Sequence, residues 1–227
     1  MRAIEKYLGN KTNIIWDWNG TLVNDVDLCV SLLAKEMKGH HLEPISKEHH
    51  QNQFSFPIVD YYRKIGFKFS DDEFKEMSIK FSAKLSEGIF RCELFEGAKS
   101  LLVELKSKGI RHAVLSATPE EFLIKQVKHF NIYEIFELIY GLPDRYAASK
   151  VNRGRQLMEV ANFKPDQTIL VGDTEHDLDV GQALGVEVLL LAQGHQSYDR
   201  LKNRHHQVLN SGYGIDFKTS SNFATNL

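Results

Sequence analysis

Three side chains with catalytic potential stand at the ends of short apolar runs. Asp17, Ser116 and Asp173 each end a run of residues typical of a buried strand. A carboxylate can attack phosphorus or hold a hard cation, and a hydroxyl can bind a phosphate oxygen. Two carboxylates and a hydroxyl that meet at one place would therefore suit the transfer of a phosphoryl group.

The elements that must position these residues follow an alternating pattern. Five apolar runs are interpreted as strands, and their bounds are 13–17, 111–116, 135–140, 168–173 and 187–191. Helical patterns lie over 98–108, 118–130, 153–161 and 177–184. This alternation predicts an α/β fold with a doubly wound parallel sheet. In such sheets the ligand binds beyond the carboxyl ends of the strands, where the three side chains would meet.

The helix expected over 118–130 has a strong start signal in the sequence. Thr118 is expected to cap this helix, and Pro119 fits its first turn. Glu121 stands at the position that completes a capping box with Thr118. Leu123 and Val127 then lie on one apolar face of the same helix.

The segment 24–90 breaks the alternation, because it carries helical patterns and no convincing buried strand. One helix is expected over 25–38, and another begins at Ser70, where Glu73 completes a capping box. We interpret 24–90 as a helical cap domain inserted over the end of the sheet. The catalytic core is then formed by 1–23 and 91–227.

Composition argues against several classes of protein. The 227 residues carry a formal net charge of −2, so a surface that binds nucleic acid is not expected. The N-terminus lacks the apolar core of a signal peptide, and no stretch approaches the ~20 apolar residues of a membrane span. Cys29 and Cys92 give no disulfide framework. We expect a cytoplasmic protein, monomeric or homodimeric, without a membrane partner.

The polar residues around the strand ends resemble the four motifs of the haloacid dehalogenase superfamily. Residues 17–21, Asp-Trp-Asn-Gly-Thr, resemble its first motif, and the run ending at Ser116 resembles the second. Lys150 is the best candidate for the third motif. Gly172-Asp173-Thr174 with Asp177 resembles the fourth. The resemblance implies a Rossmann-like core with an inserted cap, and a phosphatase similar to phosphoglycolate phosphatases.

The same resemblance implies a mechanism and a metal. Asp17 would be the nucleophile and form an aspartyl-phosphate. Mg²⁺ would be held by the carboxylates of Asp17 and Asp173 and by the backbone carbonyl of Asn19. Asp177 would lie near the metal or hold its water ligands. The expected substrate is a small phosphorylated metabolite.

A further group of residues would bind the substrate phosphate. Ser116 and the backbone N–H of Ala117 would contact phosphate oxygens, and Thr21 of the first motif is also assigned to substrate binding. Lys150 would balance the clustered negative charge and stabilise the transition state. Arg153 is a rival candidate for the role of Lys150.

Asn19 departs from the family pattern, which has Asp at this position as general acid and base. An amide does not exchange a proton in this way, and acid–base catalysis is worth roughly 10²- to 10⁴-fold. The natural substrate could have a good leaving group, or the Asn could be a substitution introduced into the natural sequence. Alternatively, a cap histidine supplies the proton. The candidates are His40, His41, His49 and His50.

Two other functions stay open from the sequence. The site could belong to a phosphate-binding or regulatory module with little turnover, because Asn19 is not an acid. Alternatively, the chain could cleave a phosphonate or a haloacid, and the former reaction would need a cap lysine. The candidate lysines are Lys35, Lys38, Lys47 and Lys64. The cap loop 52–57 is a candidate for substrate contact. The loop 194–197 is expected to be a surface loop, and the alternative is that it also approaches the site.

Overall fold

A computed structural model gives the fold of the chain and describes residues 2–143 and 149–214. The described strands are β1 (Asn13–Trp16), β2 (Val23–Asn24), β3 (Glu93–Leu94), β4 (Arg111–Pro119), β5 (Leu138–Leu142), β6 (Thr168–Gly172), β7 (Glu187–Leu191) and β8 (Val208–Leu209). The described α-helices are α1 (Glu5–Leu8), α2 (Val26–Gly39), α3 (Lys47–Gln53), α4 (Ile58–Lys64), α5 (Asp71–Gly88), α6 (Ala98–Ser107), α7 (Glu120–His129), α8 (Lys150–Ala161), α9 (Glu175–Leu184) and α10 (Tyr198–Arg204).

Six strands form one parallel sheet in the order β5-β4-β1-β6-β7-β8. Strand β1 lies in the middle, and its last residue, Trp16, pairs with Val114 of β4 and Val171 of β6. The carboxyl ends of these strands therefore lie at one edge. Asp17 follows β1 and Asp173 follows β6 there, whereas Ser116 lies within β4, which continues to Pro119. The predicted doubly wound α/β class is confirmed.

The sheet is buried on both faces, which explains why its strands are continuous apolar runs. Ile14 and Trp16 of β1 pack into a cluster on one face together with helix α6. Ile15 packs into a second cluster on the other face together with helices α8 and α9. Each buried Ile or Leu contributes about 1.5–3 kcal/mol, so these two clusters fix the strands that carry the polar residues.

Helices α2 to α5 form a separate layer with its own apolar cluster. This cluster includes Leu33 and Met37 of α2 and Tyr61 and Tyr62 of α4. The chain enters and leaves the layer through β2 and β3, which pair antiparallel. Helix α5 begins as predicted, with a capping box between Ser70 and Glu73.

Several predicted element boundaries were wrong. Thr118 does not cap a helix, because β4 continues through it to Pro119 and α7 begins at Glu120 without a side-chain cap. Strand β5 begins at Leu138 instead of 135, and the short strand β8 was not predicted. Helix α8 begins at Lys150, earlier than expected. Among the described residues, no helix has the length and apolar character needed to cross a membrane.

Candidate active site

Asp17 lies at the centre of the polar cluster at the carboxyl edge of the sheet. Its backbone N–H donates to the carbonyl of Val171 at 2.9 Å, so the residue is fixed directly after β1. The side chain is buried and contacts the ammonium group of Lys150. Lys150 also donates to Asp177 at 2.6 Å. Lys150, expected to balance the clustered negative charge, is therefore buried and contacts two carboxylates.

Lys150 reaches this position because it is the first residue of helix α8. The side chain of Ser149 caps the helix by accepting a hydrogen bond from the N–H of Asn152 at 3.2 Å. Arg153, the rival candidate, points elsewhere and contacts Glu120 and the carbonyl of Gly141. The geometry therefore supports Lys150 rather than Arg153 at the centre of the cluster.

Asp173 is oriented by donors from two loops. One oxygen accepts from the hydroxyl of Thr21 at 3.1 Å, and the other accepts from the backbone N–H of His195 at 2.6 Å. Gly20 permits this approach, because its φ is +72° and a Cβ there would lie 2.2 Å from an Asp173 oxygen. Thr21 thus lies behind Asp173 and is absent from the described lining of the cavity, which does not support direct substrate contact.

Asp177 is held by protein donors on both carboxylate oxygens. One oxygen contacts Lys150, and the other accepts from the hydroxyl of Thr174 at 2.7 Å. Thr174 and Asp177 also form a capping box at the start of α9. This geometry suits a residue that positions Lys150 and the loop of Asp173 more than it suits a direct metal ligand.

The cluster holds more negative than positive charge. Asp17, Asp173 and Asp177 lie with one oxygen each within 4.8 Å of one another, and Lys150 contacts two of them. Burial raises the pKa of Asp17 to about 6 and that of Asp173 well above its usual range, although Lys150 opposes this at Asp17. At Asp177 burial acts in the same direction, but Lys150 overrides it and holds the pKa below its ordinary value.

A divalent cation fits this arrangement. Two buried carboxylates, Asp17 and Asp173, converge with more charge than Lys150 balances, and both offer hard oxygen donors. Mg²⁺ prefers such donors and retains several water ligands. These two side chains could therefore hold a divalent cation.

Asn19 is clamped between two polar side chains. Its amide nitrogen donates to Asp25 at 2.7 Å, and its amide oxygen accepts from the hydroxyl of Thr118 at 2.8 Å. The orientation of the amide follows from its partners, because an ionised carboxylate can only accept. Thr118, expected to be a helix cap, is therefore a site residue instead. Ser116 is buried nearby and accepts from the backbone N–H of Thr118 at 3.0 Å.

Asp25 and His195 were missed as site residues. Asp25 accepts from the backbone N–H of Gly20 at 2.8 Å and lies 3.4 Å from His195. His195 in turn lies 3.1 Å from His50. The expectation of a surface loop at 194–197 was wrong, since His195 and Gln196 are buried. His195 lies in a polar loop, and nothing in the sequence distinguished it from a surface histidine.

A cavity of about 480 Å³ opens over the cluster. Asp17, Ser116, Ala117 and Lys150 lie at its polar end. Aromatic and aliphatic residues of the segment 24–90 also line it, among them Phe54, Phe56, Pro57, Phe74 and Phe81. The loop 52–57 therefore contributes to the wall, as its aromatic residues suggested.

Only some of the cap residues considered for catalysis reach this cavity. Of the candidate histidines, His50 lines it, whereas the others are exposed elsewhere. The cap lysines proposed for phosphonate cleavage are all exposed, and none lines the described cavity. The lysine that does so is Lys150 of the core.

The fold and the site agree with the family that the motifs suggested. The model for haloacid dehalogenase-like hydrolases matches residues 14–191, and the chain belongs to this family. The chain is 29% identical over 124 residues to tyrosine-protein kinase PtkA of Mycobacterium tuberculosis, covering 54% of this chain and 43% of that protein. The match thus spans less than half the length of PtkA.

Other similar proteins align over most of their length. Phosphoglycolate phosphatase of Aquifex aeolicus is 27% identical over 186 residues, which cover 80% of this chain and 85% of that protein. The solved structure of a haloacid dehalogenase-like family hydrolase from Streptococcus pneumoniae superposes with a TM-score of 0.74. Its sequence identity is 21%, and the superposition covers 88% of this chain and 93% of that one.

Proposed function

We propose that the chain is a Mg²⁺-dependent phosphatase that hydrolyses a small phosphate monoester through an aspartyl-phosphate on Asp17. The observation that carries the proposal is the buried Asp17 carboxylate at the floor of a cavity, in contact with Lys150 and facing Asp173. The similarity to a protein named phosphoglycolate phosphatase supports the reaction class.

In the first half-reaction, an oxygen of Asp17 attacks phosphorus while the bond from phosphorus to the leaving oxygen breaks. Lys150 stays charged and offsets the negative charge of the phosphoryl oxygens. Ser116 lies at the same end of the cavity, where its hydroxyl and the N–H of Ala117 would hold phosphate oxygens. Bound Mg²⁺ would supply further charge neutralisation.

In the second half-reaction, water attacks the phosphorus of the aspartyl-phosphate, the bond from phosphorus to the Asp17 oxygen breaks, and inorganic phosphate leaves with the proton that water gives up. Water must lose a proton in this step, and the leaving oxygen must gain one in the first step unless it departs as a stable anion. Asn19 can do neither. We therefore propose that the preferred substrates have acidic leaving groups, such as acyl or aryl phosphates.

The cavity wall also bears on the substrate. Phe54, Phe56 and Pro57 line the same cavity as Asp17 and Lys150. Phe56 is 40% exposed and packs against the ring of His176, with ring centroids 4.5 Å apart. Apolar surface in this position would favour a substrate with an apolar or aromatic group beyond the phosphate. At equal leaving-group acidity, 2-phenylethyl phosphate should be a better substrate than ethyl phosphate, and Phe56→Ala should reduce the difference.

The direct test is phosphate release from p-nitrophenyl phosphate with Mg²⁺, with excess chelator, and in Asp17→Asn. Chelator and Asp17→Asn should each abolish turnover, whereas the exposed matched control Asp199→Asn should keep it. Activity that survives in Asp17→Asn would show that another residue is the nucleophile. A phosphonate and a haloacid belong in the same screen, because cleavage of either one alone would replace the phosphatase proposal.

A regulatory module with slow turnover is the second candidate, and Asn19 is the observation that favours it. Such a module would form the phosphoenzyme on Asp17 and retain it. Intact-protein mass spectrometry after incubation with acetyl phosphate and Mg²⁺ would then show one added phosphoryl group, with little steady-state phosphate release.

A further inference from the structure

A second group of potential metal ligands lies beside the carboxylate cluster and has a different chemistry. Cys29 of α2, His50 of α3 and His195 of the loop after β7 are all buried. One ligand atom from each lies within 4.8 Å of the others. Thiolate and imidazole are ligands for borderline and soft ions, whereas Mg²⁺ prefers the carboxylates of Asp17 and Asp173. The two groups therefore differ in the ion that each would select.

The two histidines are arranged as metal-binding histidines usually are. Nε2 of His50 and Nδ1 of His195 face each other at 3.1 Å. The outer nitrogens have partners of their own: Nδ1 of His50 is 2.7 Å from the hydroxyl of Tyr61, and Nε2 of His195 is 3.4 Å from Asp25. Partners on the outer nitrogen fix the ring and leave the inner nitrogen free to bind a metal.

We propose that Cys29, His50 and His195 form a binding site for Zn²⁺, separate from the Mg²⁺ site and independent of the proposed phosphatase reaction. Tetrahedral Zn²⁺ with bonds of 2.0–2.1 Å places two ligand nitrogens about 3.3 Å apart. The observed 3.1 Å between the two rings is close to this value. For sulfur and nitrogen the corresponding separation is about 3.6 Å. The three ligand atoms lie within 4.8 Å of one another, so each separation between Sγ and a ring nitrogen needs to shorten by about 1.2 Å at most. The fourth position opens into the cavity that the three residues line.

Binding of Zn²⁺ would displace hydrogens that these ligand atoms carry when no metal is bound. The Cys29 thiol loses its proton to bind as thiolate, and the hydrogen between the two rings is displaced by the ion. Asp25, in contact with His195, supplies a negative charge near the site. Because the ligands come from two cap helices and a core loop, the ion would tether the cap to the core.

The test uses Co²⁺ as a spectroscopic substitute for Zn²⁺, on the full chain with excess Mg²⁺ to fill the carboxylate site. Thiolate coordination gives a charge-transfer band in the near ultraviolet, which Co²⁺ held by carboxylates lacks. The band should be present in the wild-type protein and should disappear when Zn²⁺ displaces Co²⁺. It should be lost in Cys29→Ser and in His50→Gln. Cys92→Ser is the matched control, because Cys92 lies outside the cluster and donates to the carbonyl of Gly88.

Tyr61→Phe removes the hydroxyl that contacts Nδ1 of His50, and it should weaken Zn²⁺ binding about 10- to 100-fold. Cooperative thermal unfolding without added metal shows whether each variant is folded. If Cys29→Ser does not fold, the loss of the band is tested in His50→Gln instead. The site is disproved if the folded wild-type protein gives no band. It is equally disproved if the band persists in folded Cys29→Ser or disappears in Cys92→Ser.

Discussion

Asn19→Asp is the most informative single change in this chain, because the new carboxyl would meet another carboxylate. The amide nitrogen of Asn19 lies 2.7 Å from an oxygen of buried Asp25. Two unit charges at 2.7 Å repel by about 6 kcal/mol at an effective dielectric constant of about 20. At 1.36 kcal/mol per unit, this corresponds to a rise in pKa of about 4 units for the pair. Against the effect of burial, His195 holds the pKa of Asp25 below its ordinary value, so the new carboxyl at position 19 is the member of the pair expected to keep a proton near neutral pH.

A retained proton changes the reaction that the site can catalyse. A carboxylic acid at position 19 can protonate an alkoxide leaving group, which the amide cannot do. Turnover of alkyl phosphates should rise by ~10²- to 10⁴-fold, the range that acid–base catalysis supplies. Turnover of p-nitrophenyl phosphate should change much less, because its leaving group departs without a proton. The hydroxyl of Thr118, at 2.8 Å from the Asn19 amide oxygen, would keep the new group in place.

The assay compares kcat/KM for ethyl phosphate and p-nitrophenyl phosphate in four proteins: wild type, Asn19→Asp, Asp25→Asn and the double variant. The double variant exchanges amide and carboxylate, so the carboxyl at position 19 loses its charged neighbour and ionises at neutral pH. Its gain on ethyl phosphate should be smaller than that of Asn19→Asp alone. A flat or lower rate on ethyl phosphate in Asn19→Asp would refute the reasoning, and His50, which lines the cavity, would become the next candidate.

Three more outcomes are expected. Thr118→Val removes one hydrogen bond to Asn19, worth about 1 kcal/mol, and should lower turnover about fivefold, with rescue by Thr118→Ser. Lys150→Met leaves two buried carboxylates unpaired and should lower the free energy of unfolding by ~3–5 kcal/mol in chelator, with partial recovery in Mg²⁺. Burial lowers the pKa of His112 from 6.5 to about 4, because the interior disfavours the charged ring. The contribution of the neutral ring to the free energy of unfolding is therefore complete above pH 6.5 and is lost as pH falls toward 4. Denaturant unfolding should show a loss of up to about 3 kcal/mol over this window that is missing in His112→Gln.

The strands could be predicted because the sheet is buried on both faces. Burial of Ile14, Ile15 and Trp16 requires an unbroken apolar run, and such a run is visible without any knowledge of its neighbours. Parallel pairing then placed the ends of β1, β4 and β6 together. The positions of Asp17, Ser116 and Asp173 followed from that pairing alone.

The residues that the sequence did not reveal depend on contacts between distant segments. The resemblance singled out Lys150, but its polar neighbours gave no sign of its burial; helix α8 begins there and carries its side chain to Asp17. His195 and Asp25 are 170 positions apart, and their contact depends on how the loop after β7 folds against the first motif. Periodicity and spacing carry no information about such packing.

At Thr118 the local preference for a helix start is not followed, and the side chain contacts a residue of the site instead. Thr118, Pro119 and Glu121 match a capping box, and an isolated segment with this sequence would begin a helix at Thr118. In the folded chain β4 instead continues past Ser116, and α7 begins without a side-chain cap, which costs about 1 kcal/mol. The hydroxyl released from that role donates to Asn19 and helps to hold the amide against Asp25. A broken local preference is expected where a side chain serves a site, so Thr118 belongs with Asn19 and Asp25 as one polar unit beside the proposed nucleophile.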